Sequence, residues 1–344
     1  MSKTFLIIMG SRIFIHHDGA LGDVLLSLPA MRLIRGDSNF IHLAANPDIA
    51  GLLLEAGFIK EASRVGSSIY LSLYSGVLDD NAMRFFSQFE RALVFTARET
   101  SVIDINIRTV LPDTIVIQTI PDEKINTAEF RLRQLADKSK IVVPCNVLTY
   151  EYTSTYLKIS PDRLEYTREF LLHSGYDSRR PIIAVHPGSG GAKKCWMREN
   201  YLELIEILMR KHAPYIIIFS GPAESDSCKA EINNFINGKK HIIHITGEEL
   251  IMVASLLKLC NIYLGNDSGI SHLASMLCRK VIVLFGPTDH LLWRPPFENV
   301  AIISSDYQCA PCDTKMLKDC MDTGCLSKIP VSRVYEEIVN LLGK

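Results

Sequence analysis

The run IYLGNDSGISHLASMLCRKVIVLF, residues 262–285, contains a strand, a turn, a helix and a second strand in close succession. Ile262 to Leu264 is a short apolar run that stops at Gly265. Gly269 to Leu277 carries apolar residues at helical spacing, and Val281 to Phe285 is continuously apolar again. Two strands joined through a helix run parallel, because a tight hairpin leaves no room for the helix. The same alternation extends upstream as strand Ile182 to His186, helix Arg198 to Lys211, strand Tyr215 to Ser220, helix Ser225 to Phe235, strand His241 to Ile245 and helix Glu248 to Leu259. Five strands with intervening helices predict a doubly wound, nucleotide-binding-like domain of the α/β class.

The first half reads in the same way with weaker signals. Strands are expected near Arg12 to His17, Ile41 to Leu43, Leu93 to Phe95 and Ile115 to Gln118, with a helix from about Val24 to Ile34. The stretch from Tyr150 to Arg180 is polar and carries Ser160-Pro161-Asp162 as a helix start. Three segments result: an N-terminal Rossmann-like domain over 1–158, a linker with one helix over 159–180, and a second Rossmann-like domain over 181–344 that ends in a cysteine-containing tail and a helix. No internal repeat or low-complexity tract interrupts them.

At 344 residues the chain is long enough for two domains with separate cores. Its 37 Lys and Arg against 38 Asp and Glu provide no field for a polyanion, so no nucleic-acid partner is expected. The apolar run Phe5 to Met9 is too short for a signal peptide, and no run reaches the ~18 apolar residues of a membrane span. A cytoplasmic chain is expected, and its nine cysteines, an odd number, fit reduced thiols.

Four segments carry chemistry, each at the end of a strand. Asp18-Gly19-Ala20-Leu21-Gly22-Asp23 turns from the first strand into a helix, with Asp23 either a helix cap or a functional carboxylate. His186-Pro187-Gly188-Ser189-Gly190-Gly191-Ala192-Lys193-Lys194-Cys195-Trp196 has three glycines and two lysines, so it can present amides and an ammonium to a diphosphate. A solvated surface turn explains that composition equally well, and the spacing of a Walker loop is absent. Gly265-Asn266-Asp267-Ser268-Gly269-Ile270-Ser271-His272 opens a helix with Asp267 or Ser268 as cap, which aims its first amides at an anion. His272 there is either a core histidine or a ligand contact. Ser220-Gly221-Pro222-Ala223-Glu224 offers a carboxylate to a ribose or sugar diol, or simply an acid at a helix start.

Taken together these segments, with Leu28-Pro29-Ala30 and Phe285-Gly286-Pro287-Thr288-Asp289, resemble glycosyltransferase family 9, the lipopolysaccharide heptosyltransferases and their relatives. The resemblance implies a GT-B fold, two Rossmann-like doubly wound domains facing across a cleft, and inverting transfer of a sugar from a nucleotide-diphosphate donor. ADP-heptose is the donor it favours, and a lipid-linked or lipopolysaccharide-core hydroxyl is the acceptor. No cofactor and no active-site metal are implied, and peripheral contact with the inner face of the inner membrane is. By position in the family motifs Asp23 is the general base and Lys194 the cation at the leaving diphosphate. Ser189, Gly190, Glu224, Asp267, Ser268, Gly269 and His272 are the donor contacts, and Gly22 and Arg98 the acceptor contacts.

Two features depart from the family pattern. Between about Tyr70 and Tyr150 its Asp-rich strand and following glycine–serine segment are missing, and Phe95-Thr96-Ala97-Arg98-Glu99-Thr100 stands there. Arg98, Arg108, Arg131 and Arg133 can meet phosphates or acidic sugars, or lie on solvated helix faces. Cys309, Cys312, Cys320 and Cys325 form a C-x2-C-x7-C-x4-C cluster that suits a structural zinc or iron–sulfur site away from the cleft, or plain thiols. Two other readings share parts of this pattern: a sugar-nucleotide 2-epimerase and a non-catalytic sugar-nucleotide binding protein. A nicotinamide oxidoreductase lacks its Gly-x-Gly-x-x-Gly.

Overall fold

Arg12–His17 forms β1, and from it the first sheet grows in both directions. Leu21–Arg35 is α1, Phe40–Ala45 β2, Pro47–Glu55 α2, Glu61–Arg64 β3, Ser68–Ser75 α3 and Asp80–Phe86 α4. Arg91–Thr96 follows as β4, Val102–Val110 as α5, Thr114–Gln118 as β5 and Thr127–Ser139 as α6. The order is β3-β2-β1-β4-β5 and all pairings are parallel. The computed structural model describes residues 10–36, 39–75, 78–97, 101–143, 147–148, 156–312, 319–320 and 324–343. The chain divides into two compact units, Met1–Lys158 and Ile159–Lys344.

In the second unit Pro161–His173 is α7, Ile182–His186 β6, Arg198–His212 α8, Tyr215–Ser220 β7, Asp226–Ile236 α9, Ile242–Thr246 β8 and Leu250–Leu259 α10. Ile262–Asn266 is β9, Gly269–Leu277 α11, Lys280–Phe285 β10, His290–Trp293 α12, Val300–Ser304 β11, Gly324–Ser327 α13 and Val331–Leu342 α14. The sheet is parallel throughout, in the order β11-β10-β9-β6-β7-β8. It has six strands where five were expected. The extra strand, β11, lies at the sheet edge beside β10 and is mostly half-buried, and its short run Val300 to Ile303 was not read as a strand. β3 escaped the sequence reading because Glu-Ala-Ser-Arg is an edge strand with no apolar run and two exposed ends.

The central strands of each sheet are buried on both faces, which is why they read as continuous apolar runs. In the first unit Phe14 sits at the centre of an aromatic cluster, with ring centroids 5.0 Å from Phe86 and 5.5 Å from Phe89. Trp196, Tyr201, Leu204 and Leu208 fill the equivalent layer of the second unit beneath α14. A buried side chain of this size contributes roughly 1.5–3 kcal/mol.

The helix in the segment expected as a linker belongs to the second unit. Ser160 caps α7 by accepting from Arg163 N, α7 packs on α10, and the Tyr215 hydroxyl donates to Ser174 O at 2.9 Å. Among the described residues no helix is long and apolar enough to cross a membrane.

Candidate active site

In the first sheet the chain leaves β1 toward β2 on one side and returns to β4 on the other. The carboxyl ends of β1 and β4 therefore flank the topological switch point, where open α/β sheets bind ligands. Asp23 lies in the first turn of α1, just past β1. It is not the cap, since the N-cap is Ala20 and no side chain bonds there. Its side chain is 39% exposed, whereas its partner, Arg131 of α6, is wholly buried. Nη2 of Arg131 donates to Asp23 Oδ1 at 3.1 Å and to Thr119 O at 2.7 Å. Nη1 donates to Asp23 O at 2.5 Å and Ser27 Oγ at 2.8 Å, and Nε to Thr119 O at 3.2 Å. Every donor of the guanidinium fork is thereby used. Burial pulls the Arg131 pKa down, and the Asp23 carboxylate pulls it back up.

His17 completes this shell from below. The Gly19 amide donates to its Nδ1 at 3.1 Å, so Nε2 carries the proton and donates to Ser27 Oγ at 3.0 Å. Ser27 Oγ passes the chain on to Asp23 O at 3.1 Å. Burial holds the imidazole well below its usual pKa, and the neighbouring Arg131 charge adds to that, so the ring is neutral. Gly19 is required here: a Cβ would stand 2.7 Å from His17 Cε1 and 2.8 Å from Asp23 Cβ. Gly22 lies one residue before Asp23 within the same turn.

In the second sheet the switch point falls between β6 and β9, and the loops that follow these two strands carry the expected donor residues. Lys194 Nζ lies 2.9 Å from Asp267 Oδ2, which also accepts from Thr288 Oγ1 at 2.8 Å. Ser189 Oγ donates to Asp267 O at 2.7 Å. Beneath them, fully buried Asn266 fastens both ends of the β6 loop: Nδ2 donates to Pro187 O at 2.7 Å, and Oδ1 accepts from Trp196 N at 2.9 Å. Ser268 is the cap of α11, accepting from Ser271 N through Oγ at 3.3 Å. The first-turn amides at Gly269 and Ile270 are among those an α-helix leaves without intrahelical partners. His272 is buried within α11, and Gly190 stands exposed with open space around it.

Glu224 sits under the same loop. Its Oε2 accepts from Gly221 N, while Oε1 lies 3.8 Å from His186 Nε2. That contact is not an ion pair near neutral pH, because burial outweighs the carboxylate's attraction and lowers the His186 pKa to about 4. A Cβ at Gly188 would overlap the Glu224 carboxylate, so only glycine allows this approach. Cys195, beside them, is pushed up to about 11 by burial and stays a thiol, which removes it as a nucleophile.

Arg131, read from sequence either as a cation for phosphates or acidic sugars or as part of a solvated helix face, faces inward instead. Arg133 pairs with Glu129 and Arg108 lies 3.9 Å from Asp104, both across one helical turn. Arg98 lies outside the described residues. The cysteine tail is not remote from the site: Cys312 N donates to Pro287 O at 2.7 Å, one residue before Thr288. Cys312 Sγ contacts Cys309 O at 3.4 Å, and Cys325 Sγ would touch a Cβ at Gly286 at 3.1 Å. Cys309, Cys312, Cys320 and Cys325 form no disulfide, and among the described residues no group of three or more His, Cys, Asp or Glu is arranged to hold a metal ion. Sequence reasoning had given no role to Ser27, Asn266 or Thr288, although two of them lie inside the quoted motifs.

The profile of glycosyltransferase family 9 (heptosyltransferase) matches residues 117–319. Lipooligosaccharide heptosyltransferase 2 of Campylobacter jejuni is 24% identical over 359 residues, covering 96% of this chain and 98% of that protein. Lipopolysaccharide heptosyltransferase 3 of Escherichia coli is 27% identical over 155 residues, 44% of each chain. Among solved structures, a family 9 glycosyltransferase from Veillonella parvula aligns with TM-score 0.75 at 17% identity over 99% of both chains. The E. coli ADP-heptose lipopolysaccharide heptosyltransferase II aligns with TM-score 0.70 at 20% identity, over 96% of this chain and 98% of that one. These likenesses give the fold as GT-B, built from two Rossmann-like units. With its motifs assembled at both switch points and the family profile spanning more than half its length, the chain belongs to glycosyltransferase family 9 and is a glycosyltransferase.

Proposed function

We propose that this enzyme transfers heptose from ADP-heptose to a hydroxyl of a lipopolysaccharide-core or related lipid-linked acceptor, with inversion at the anomeric carbon and without a required metal. Asp23 accepts the proton of the acceptor hydroxyl as that oxygen attacks C1 of the donor sugar. The bond from C1 to the diphosphate oxygen breaks, and its electron pair leaves with the nucleoside diphosphate. Attack on the face opposite the leaving group inverts C1. Lys194 has three N–H donors: one is held by Asp267, and two serve the diphosphate. The Ser189 and Gly190 backbone and the Ser268–Gly269 helix start supply further positive potential. Glu224 meets the nucleoside, and Asp267 and His272 line the sugar. The acceptor is met at the inner face of the inner membrane by peripheral contact.

The observation that carries this reading is the 2.9 Å contact of Lys194 with Asp267 at the start of α11, a fixed cation beside unpaired helix amides at a switch point. The names of the relatives support heptose and a lipopolysaccharide core, and the E. coli structure named for ADP-heptose supports the donor. The test is incubation of the purified chain with ADP-heptose and truncated lipopolysaccharide cores. One heptose added per ADP released, unaffected by EDTA and inverted by NMR, is the expected result. Conversion of the donor sugar without acceptor would assign a 2-epimerase instead, and no conversion of the donor under any condition would end the reading.

A further inference from the structure

Asn266, the last residue of β9, is fully buried, so no ligand reaches it, yet it is bonded on every side. Its Nδ2 donates to Pro187 O at 2.7 Å and to Gly188 O at 3.3 Å, where the chain leaves β6. Its Oδ1 accepts from Trp196 N at 2.9 Å and from the Tyr201 hydroxyl of α8 at 3.0 Å. A carbonyl only accepts and a backbone amide only donates, so the carboxamide fits one way round, with both donors and both lone pairs engaged. The main-chain carbonyl of Asn266 accepts from Ser271 Oγ in the first turn of α11. One residue thus ties both ends of the loop after β6 to the helix start that faces it.

Between those ends the chain is rich in glycine. Gly190 and Gly191 have open space where a side chain would stand, and a single 3-10 turn at Ala192–Lys194 is closed by Lys194 N to Gly191 O at 2.9 Å and Cys195 N to Ala192 O at 3.1 Å. Ser189 Oγ and Lys194 Nζ both reach Asp267, the residue after Asn266. Glycines leave such a segment many backbone states, so the fixing of its ends decides where the Ser189–Gly190 amides and the Lys194 ammonium point.

We infer that Asn266 is a positioning residue for departure of the diphosphate: through the two loop ends it sets the Lys194 ammonium and the Ser189–Gly190 amides against the start of α11 before the donor binds. The inference rests on the reading of this loop as the diphosphate site. Donors already in place need no reorganisation as charge develops on the leaving oxygen, so freeing them is felt more in the transition state than in the ground state. A carboxylate at position 266 would keep the bonds from Trp196 N and the Tyr201 hydroxyl. Toward Pro187 O and Gly188 O it would set an acceptor against two acceptors, which releases that end of the loop alone.

A double-mutant cycle in the full chain tests this, with transfer from ADP-heptose to a truncated core as the rate and the thermal shift from ADP as the donor measure. Asn266→Asp should lower kcat about thirtyfold and reduce the ADP shift, while the acceptor KM stays within about twofold of the parent. In a Lys194→Met background the same substitution should lower kcat by about threefold at most, because the cation it positions is already gone and groups that act as one unit are not additive. An asparagine that served the fold alone would cost the same factor in both backgrounds. Equal factors, an acceptor KM that rises in step with the loss of kcat, or parental kcat in Asn266→Asp overturns the assignment. Where Asn266→Asp does not fold, Tyr201→Phe takes its place in the cycle, since it strips one partner from Asn266 Oδ1 at nearly the same core volume. It should lower kcat about threefold in the parent chain and leave Lys194→Met unchanged, and parental kcat or equal factors there also overturn the assignment. Absence of both transfer and any ADP shift in the parent chain sinks the diphosphate reading itself, and this one with it.

Discussion

Arg131 Nη2 lies 3.1 Å from Asp23 Oδ1 although 108 residues separate the two in sequence. The guanidinium also holds the backbone carbonyl of Asp23, so it fixes both the main chain and the carboxylate of the proposed base. Replacing it with Met takes from the Thr119 carbonyl the donors that Arg131 supplies, at roughly 1–3 kcal/mol, while the Asp23 carbonyl keeps its bond from Ser27 Oγ. Arg131→Met should therefore lose roughly 1–3 kcal/mol of stability, because the Asp23 carboxylate left behind is partly exposed and can be solvated. Where it still folds, kcat should drop about a hundredfold, because a misplacement of ~1 Å is enough for that. Denaturant unfolding and steady-state kinetics measure both; parental kcat with parental stability would refute the positioning role.

Asp23→Asn separates position from chemistry. The amide oxygen still accepts from Arg131, so the fold should survive with a loss of about 1–2 kcal/mol for the charge removed beside a buried guanidinium. A general base contributes ~10²–10⁴ in rate, and kcat should fall by that factor while donor binding stays. Transfer at more than a tenth of the parental rate would remove Asp23 from the mechanism.

Lys194 is held by Asp267, and Asp267 in turn by Thr288, so the cation is in place before any ligand arrives. Loss of one preorganised donor to a developing anion costs ~10²–10³ in kcat. Lys194→Met should show that loss, together with a weaker thermal shift from nucleoside diphosphate. Lys194→Arg should not restore the rate, because a planar fork cannot occupy the position of a compact ammonium beside Asp267. Full activity in either variant would contradict the assignment.

These pairings mark where the sequence was readable and where it was not. Strand ends were legible because buried parallel strands read as apolar runs, and Ile182–His186 and Gly269–Leu277 match the expected bounds. The loops that follow β6 and β9 were legible as candidate sites from their glycines, Lys194 and Ser268. That they converge was not, because Lys194 and Asp267 are 73 residues apart and only the strand order β9-β6 makes them neighbours. Arg131 misled because Arg133 and Lys138 flank it on a helix with a basic, solvated appearance, and nothing local marks the one arginine that turns inward. β3 was invisible for want of an apolar run, whereas β11, with Val300 to Ile303 apolar, was legible and went unread.

Gly188 offers a test in which nothing polar is removed. An added Cβ would overlap Glu224 Oε1, so the carboxylate must swing away from His186 and the Gly221 amide. Gly188→Ala should raise the donor KM about tenfold, equivalent to about 1.4 kcal/mol, and leave the acceptor KM unchanged. A Glu224→Ala background should abolish the effect of the added methyl group, since the clash is then gone. An acceptor KM that moves in parallel, or a Gly188→Ala penalty that persists without Glu224, would show that the glycine matters for another reason.

The buried histidines set the response to acid. Burial lowers the pKa of His16, His17, His42, His186 and His244, in each case as the largest cause. In the unfolded chain each titrates near 6.5. As pH falls through 6.5 the unfolded state takes up protons that the folded state refuses, so stability is full above that pH and declines below it. His186, with a folded pKa of about 4, contributes a loss that grows between pH 6.5 and 4 and reaches roughly 3 kcal/mol. His17 adds to it, because protonation would break the Gly19 contact at Nδ1 and set a second charge beside Arg131. The melting temperature should therefore be flat from pH 8 to about 7 and fall steadily toward pH 5. His186→Gln should flatten part of that slope while leaving the plateau lower. A melting temperature constant down to pH 5, or a slope unchanged in the variant, would mean that these rings take up protons in place and that the neutral shell under Asp23 and Glu224 is misassigned.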